Sequence, residues 1–249
     1  MERWQNRVAA VTGASSGIGA ATVKDLLKAN LVVVGLARRL ERMEELKASL
    51  PAEQQKRFHP VACDVASQES VDTAFDWIIK ELGGIDILVN NAGVFKPGYA
   101  STAEPAELQS IIQINLMGVV YCTQRAFKSM KERNFDGHVV VVNSVLGHSV
   151  PITFGSNQPP IMNVYPATKF ALTALTEIYR QEFRGLETKI KITSVSPGLT
   201  DTEIVPEKFK GAEVPKLKSE DISSCILFTL STPPHMQIHE ITVKPTLGE

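Results

Sequence analysis

Thr12-Gly13-Ala14-Ser15-Ser16-Gly17-Ile18-Gly19 follows a short apolar run at 7–11 and precedes a stretch of helical composition at 20–29. A second apolar run, Val32-Val33-Val34-Gly35-Leu36, comes next. Strand, glycine-rich turn, helix and strand open a βαβ unit, and a turn of this kind ahead of a helix suits a nucleotide. Gly13 permits the tight turn, Gly17 lets backbone approach a pyrophosphate, and Gly19 lets helix and strand pack closely. The helix N-terminus supplies N–H groups and a positive dipole end for the phosphates. The bland alternative is an ordinary Gly-Ser turn; the flanking strand and helix favour the nucleotide.

The alternation continues along the 249 residues. An apolar run at 58–63 ends in Asp64-Val65, with Asp64 placed to meet the adenine side of a nucleotide. Ser67 is placed to cap a helix that runs to Leu82 and is closed by Gly83-Gly84. A fourth strand at 85–89 delivers Asn90-Asn91-Ala92-Gly93 at its C-terminal end, the side on which open α/β sheets hold ligands. Further strands are predicted at 139–142, 190–195 and 238–243, and helices at 105–133, from Tyr165 to Phe183, and from a Ser219 cap to Leu230. The pattern predicts the α/β class. The expected architecture is a single Rossmann-fold domain over 1–249, a doubly wound seven-stranded parallel sheet with helices on both faces. Ile111, Ile112, Ile114, Leu116, Met117, Val119 and Val120 cover more than one face of the helix at 105–133, so one side is expected to meet the sheet and the other a second subunit.

The tip of the second strand decides which nucleotide. An NAD site places a carboxylate there; here Leu36-Ala37 is followed by Arg38 and Arg39. Guanidinium groups suit bidentate phosphate recognition, so the expected cofactor is NADP(H), held by Arg38 first and Arg39 second. For Arg39 the rival reading is a solvated helix start among Glu41, Arg42, Glu44 and Glu45.

Asn163-Val164-Tyr165-Pro166-Ala167-Thr168-Lys169 sets a phenol and an ammonium four residues apart on one face of a helix start. The Lys169 charge is expected to favour the Tyr165 phenolate; bringing a phenol of pKa about 10 close to neutrality takes about 3–4 kcal/mol. Read so, the pair is a tuned acid/base; read blandly, it is a solvated helix pair. Asn115 is either a satisfied buried amide or a polar post in a proton relay. Ser144, past the strand at 139–142, is either a turn serine or a hydroxyl on the ligand side. The substrate-side loop at 148–163 carries Ile152, Phe154, Ile161 and Met162, a hydrophobic binding wall or a loop covering its own small core. The polar stretch at 199–218 is expected to act as a lid.

The net charge of −1, with both signs interspersed, argues against nucleic acid and anionic membranes as partners. No apolar span is long enough to cross a bilayer, so no stable membrane anchor is expected. Cys63, Cys122 and Cys225 are scattered and read as free thiols in a reducing compartment, which places the chain in the cytoplasm. His235 and His239 lack further ligands and read as structural, so no metal is expected.

Together, Thr12-Gly13-x-x-x-Gly17-x-Gly19, Asn90-Asn91-Ala92-Gly93, Asn115, Ser144, Tyr165-x-x-x-Lys169 and Pro197-Gly198 with Thr202 closely resemble the short-chain dehydrogenase/reductase family, in order and spacing over nearly the whole chain. The resemblance implies that Asn115, Ser144, Tyr165 and Lys169 act as a catalytic tetrad. It also implies cofactor contacts from Gly13, Ser15, Ser16, Gly17, Ile18 and Gly19, from Asp64 and Val65, and from Asn91, Ala92 and Gly93. Pro197, Gly198, Thr200 and Thr202 complete the implied set, and a homodimer or homotetramer is implied too. More narrowly, Met1-Glu2-Arg3-Trp4, the Leu36-Ala37-Arg38-Arg39 turn and the ending Ile241-Thr242-Val243-Lys244-Pro245-Thr246 resemble the branch of insect farnesol dehydrogenases and related NADP-dependent alcohol or ketosteroid reductases. That branch implies a lipophilic alcohol or carbonyl substrate, an isoprenoid alcohol such as farnesol first and a steroid or other hydrophobic ketone second. A non-catalytic NADP(H)-binding sensor on the same fold is the rival. The segment between Ser144 and Tyr165 is longer than is usual in the family, and Ser16 stands where many NADP-using relatives carry a basic residue.

Overall fold

Valine- and isoleucine-rich runs with no polar face must be covered on both sides, and a parallel sheet with helices on each face does that. In the computed structural model, which describes residues 1–151, 161–205 and 214–246, four strands are buried throughout. They are β1 (Val8–Thr12), β4 (Ile87–Asn90), β5 (His138–Val142) and β6 (Lys191–Pro197). With β2 (Val32–Ala37), β3 (Phe58–Ala62) and β7 (Glu240–Val243) they form one seven-stranded sheet of order β3-β2-β1-β4-β5-β6-β7. Every pairing is parallel. Pro60, which has no N–H to give a ladder, lies on the edge strand β3. The opposite edge, β7, alternates exposed and half-buried residues.

Helices α1 (Gly17–Lys28), α2 (Leu40–Ala48) and α8 (Ser219–Ser231) bring Val23, Leu26, Met43, Ile222 and Ile226 onto the face that carries Ala9 and Val11. A single short turn, α3 (Ala52–Gln55), joins α2 to β3. On the other face α4 (Gln68–Leu82), α6 (Gly118–Glu132) and α7 (Tyr165–Gly185) pack Val71, Phe75, Cys122, Ala126 and Leu172 against Ala10, Val34 and Leu88. The alternation within β1 thus feeds two cores at once. Ser67 caps α4 as expected, accepting the Ser70 N–H at 3.2 Å, and Gly83 closes it at φ 79°.

Three expectations shift. The helix predicted over 105–133 is not regular: α5 (Pro105–Ile112) passes into a π-turn at Gln113–Met117 before α6 begins. The wider turn inserts one extra residue into the helical ladder and turns Asn115 inward. Lys218, not Ser219, stands at the N-cap of α8, with its N–H held by the Asp221 carboxylate at 2.8 Å. The last strand starts at Glu240 instead of 238. The Ile238 carbonyl is taken by the Thr193 hydroxyl at 2.6 Å. Ile152 and Phe154, and 206–213 of the expected lid, lie outside the described residues.

Asp86 locks the start of this sheet. It is 3% exposed, accepts the Val8 N–H at 2.9 Å, and pairs with Arg133 Nη1 at 2.8 Å. One carboxylate therefore ties β1, the entry to β4 and the end of α6. Breaking a buried pair costs about 3–5 kcal/mol, and Arg133 is partly solvated, so Asp86→Ala is expected to lower stability by about 2–4 kcal/mol in urea unfolding. Arg133→Met keeps the Val8 N–H satisfied but leaves the buried Asp86 carboxylate without its charge partner, so it is expected to cost about as much.

Candidate active site

The strand order places β1 between β2 and β4, so the chain leaves β1 toward one face and β4 toward the other, and a crevice opens at the C-terminal edge. A polar knot holds its walls together. The Thr12 hydroxyl accepts the N–H groups of Asn91 and Ala92, both at 3.0 Å, and Asn91 Nδ2 donates to the Thr12 carbonyl at 2.9 Å and the Gly13 carbonyl at 3.3 Å. Gly13 takes φ 67°, the left-handed region the tight turn demands. A methyl on Gly19 would overlap the Gly13 carbonyl oxygen and Asn91 Nδ2, so α1 can approach β1 this closely only with glycine there.

Arg39, at the start of α2, turns onto this loop. Its Nη2 donates to the hydroxyls of Ser15 and Ser16, both at 3.0 Å, and its Nη1 pairs with Glu203 at 2.9 Å. Ser16 stands at the N-cap of α1 yet places no hydroxyl on the helix N–H groups. Those N–H groups, the glycine turn and Arg39 together fit a dinucleotide carrying an extra phosphate. Arg38 is exposed at the strand tip. Asp64 is half-buried and turns its carboxylate back to the Ala66 N–H at 3.0 Å. Val65 packs on Gly118. Beyond β6, the Thr200 hydroxyl donates to the Gly198 carbonyl at 3.0 Å, and Thr202 lies against Gly17.

The four residues of the implied tetrad converge at the same edge. Ser144 follows β5, is 8% exposed, and accepts the Leu146 N–H at 3.1 Å. Ser144 also acts on the phenol of Tyr165, the first residue of α7, as a polar neighbour that favours its ionised form. Phe95 meets the Tyr165 ring edge-on at 5.3 Å. One turn along α7, Lys169 Nζ lies 5.6 Å from the Tyr165 ring centroid and donates to the Val142 carbonyl at 3.0 Å. Asn115 Oδ1 accepts the Val94 N–H at 2.8 Å, and its Nδ2 donates to the Val94 carbonyl at 2.9 Å and to Thr168 at 3.3 Å. Asn115 is thus a satisfied buried amide that pins the segment after β4 to the start of α7.

Burial, not the ammonium, dominates the two titrating groups, which corrects the expectation of a phenol lowered by its lysine. Burial pushes Tyr165 up to about 12, with Ser144 working the other way. Burial also pulls Lys169 down to about 8. Lys169 is buried and Tyr165 half-buried, and lost hydration disfavours both charged forms, so at neutral pH the phenol holds its proton while Lys169 is close to losing its own.

A sequence matched from 7 to 213 by the family model for short chain dehydrogenase, folded into this site, settles the family. The chain belongs to the short-chain dehydrogenase/reductase family. It is 50% identical over 250 residues to the farnesol dehydrogenase of Aedes aegypti, covering 100% of this chain and 99% of the relative. It is 38% identical over 258 residues to human dehydrogenase/reductase SDR family member 11, covering 99% and 96%. Among solved structures, the closed form of serine dehydrogenase complexed with NADP+ superposes with a TM-score of 0.81 at 28% identity, covering 95% and 94%.

Several residues that build this short-chain dehydrogenase/reductase site were not foreseen as parts of it. Thr12 was signalled by its place just before Gly13. Thr168 sits inside the Tyr165–Lys169 stretch. The Val142 carbonyl, Arg42 and Glu203 carry no local signal. A lysine with a pKa near 8 is charged below that pH and neutral above it. The kcat/KM of the oxidoreductase reaction is therefore expected to hold up to about pH 8 and to fall above it as Lys169 discharges. Lys169→Arg, whose guanidinium stays charged, is expected to move that fall upward in the activity that remains; an unmoved fall assigns it to another group.

Proposed function

We propose that this short-chain dehydrogenase/reductase uses NADP(H) to interconvert a lipophilic alcohol and its carbonyl, with an isoprenoid alcohol of the farnesol type as first substrate. The observation that carries the proposal is the convergence of the Ser144 and Tyr165 hydroxyls at one edge of the sheet, with Lys169 Nζ 5.6 Å from the Tyr165 ring centroid. A substrate oxygen placed between two such hydroxyls is held and its developing charge stabilised. A bound nicotinamide supplies the hydride and, when oxidised, a positive charge. Tyr165, protonated in the free protein, is set to give its proton to a carbonyl oxygen and to take one back from an alcohol. Lys169 helps the phenolate form, and Ser144 orients the oxygen. Asn115 keeps the turn of α7 that carries Lys169 in place through Thr168.

The choice of NADP(H) is supported by Arg39 on Ser15 and Ser16, and by the NADP+ complex of the serine dehydrogenase neighbour. The lipophilic substrate is supported by Phe95 against Tyr165, by Tyr99, Val150, Ile204 and Val214 exposed on segments beyond the strand ends, and by the likeness to the Aedes aegypti enzyme. Ile112 on α5 and Phe170, Ala174 and Ile178 along one face of α7 are exposed, which supports a homodimer or larger homo-oligomer packed through these helices. Free thiols at Cys63 and Cys122 and the lack, among the described residues, of a helix able to cross a membrane support a cytoplasmic location.

The test is NADPH formation with farnesol, geraniol and a secondary steroid alcohol, each against NADP+ and NAD+. Farnesol turnover that prefers NADP+ is expected. Turnover of the steroid alone would move the substrate class, and cofactor binding without any turnover would favour a sensor. Tyr165→Phe is expected to abolish turnover and to leave NADPH binding nearly intact. A charge-assisted hydrogen bond is worth about 1.5–3 kcal/mol, so Arg39→Ala is expected to weaken NADP+ by about 10- to 100-fold, and Arg38→Ala by less. Equal loss of NAD+ in Arg39→Ala would contradict the phosphate role.

A further inference from the structure

The adenosine end of the crevice holds an anion of the protein's own. The Glu203 carboxylate takes Arg39 Nη1 on one oxygen at 2.9 Å and Arg42 Nη1 on the other at 2.6 Å. Glu203 follows Thr202, and Thr202 lies against Gly17, so the segment leaving β6 crosses the mouth of the glycine turn and drops its carboxylate between the two guanidinium groups. The rest of the Arg39 fork, Nε and Nη2, faces the Ser15 and Ser16 hydroxyls. The cluster therefore consists of two cations, one anion and two hydroxyls, all within reach of the turn that would cradle the dinucleotide.

We infer that Glu203 is a specificity-determining residue that competes with the 2′-phosphate of NADP(H) for Arg39 and so narrows the preference for NADP(H) over NAD(H). The inference rests on the proposed NADP(H) reading of this site. A 2′-phosphate that pairs with Arg39 must displace the carboxylate from Nη1 or lie beside it, and like charges at that distance repel. An unphosphorylated ribose carries no such charge and leaves the Arg39–Glu203–Arg42 bridge intact. Glu203 is 53% exposed and its two partners 40% and 42%, so each bridge is a solvent-screened pair and the competition is modest. The site keeps a positive balance, which lets the phosphate win while lowering the margin by which it wins.

The experiment measures dissociation constants of NADPH and NADH by protein fluorescence on the full chain, for the wild type, Glu203→Gln, Glu203→Ala and Arg39→Ala. Competition by 2′,5′-ADP and by 5′-AMP isolates the phosphate from the nicotinamide. Both Glu203 variants are expected to bind NADPH and 2′,5′-ADP about three- to ten-fold tighter, with NADH and 5′-AMP changed by less than about two-fold. A role confined to holding the loop would change both nucleotides together, and that result overturns the inference. So does a wild type that prefers NADPH with Glu203 variants that bind it no tighter. A wild type with no preference, and no loss of NADPH in Arg39→Ala, overturns the NADP(H) reading and this inference with it.

Discussion

The hydroxyl of Thr12 is the point on which the crevice depends. β1 and β4 are neighbours whose chains depart to opposite faces, and nothing in a parallel ladder joins the turns beyond the last strand residues. Thr12 closes that gap by taking two N–H groups from the turn after β4, and Asn91 answers with its side-chain amide on the turn after β1. Both turns are thereby fixed relative to one another before any ligand arrives. Gly13, Gly19 and the start of α1 take their positions from the same knot, and so does the segment from Ala92 to Val94 that Asn115 grips.

From that knot the site is built outward through polar contacts between elements far apart in the chain. The π-turn lets Asn115 reach both backbone groups of Val94 and the hydroxyl of Thr168, so the turn after β4 and the first turn of α7 move as one piece. Lys169, held by the Val142 carbonyl, ties α7 to the end of β5, from which Ser144 comes. The reacting hydroxyls are thus placed by rigid elements, with loops supplying only the walls. Dryness is the consequence of that packing, and it holds the Tyr165 proton on while loosening the proton of Lys169.

The fold and the Tyr165–Lys169 pair are legible because their signals are local, whereas the meeting of Asn115 and Ser144 with that pair is implied only by the family resemblance. Unbroken apolar strands, a glycine turn between strand and helix, and a phenol one turn ahead of an ammonium each follow from neighbours in sequence. What was not legible depends on distant partners. Which of the adjacent Arg38 and Arg39 turns inward is decided by Ser15, Ser16 and Glu203, the last 164 residues away from Arg39. The π-turn brings Asn115 to a backbone segment some twenty residues earlier and has no mark in the helical periodicity. The direction of the Tyr165 shift was misjudged because a charge is visible in a sequence and desolvation is not.

Packing, ahead of the lysine charge, sets the proton on Tyr165 in the free protein. Ultraviolet titration of tyrosinate in the free protein, taken as a difference from Tyr165→Phe, tests it directly. No phenolate signal from Tyr165 is expected between about pH 6 and pH 9, since burial pushes this phenol up to about 12. A phenolate that titrates close to neutrality without any ligand would contradict it, and would return the control of that proton to Lys169.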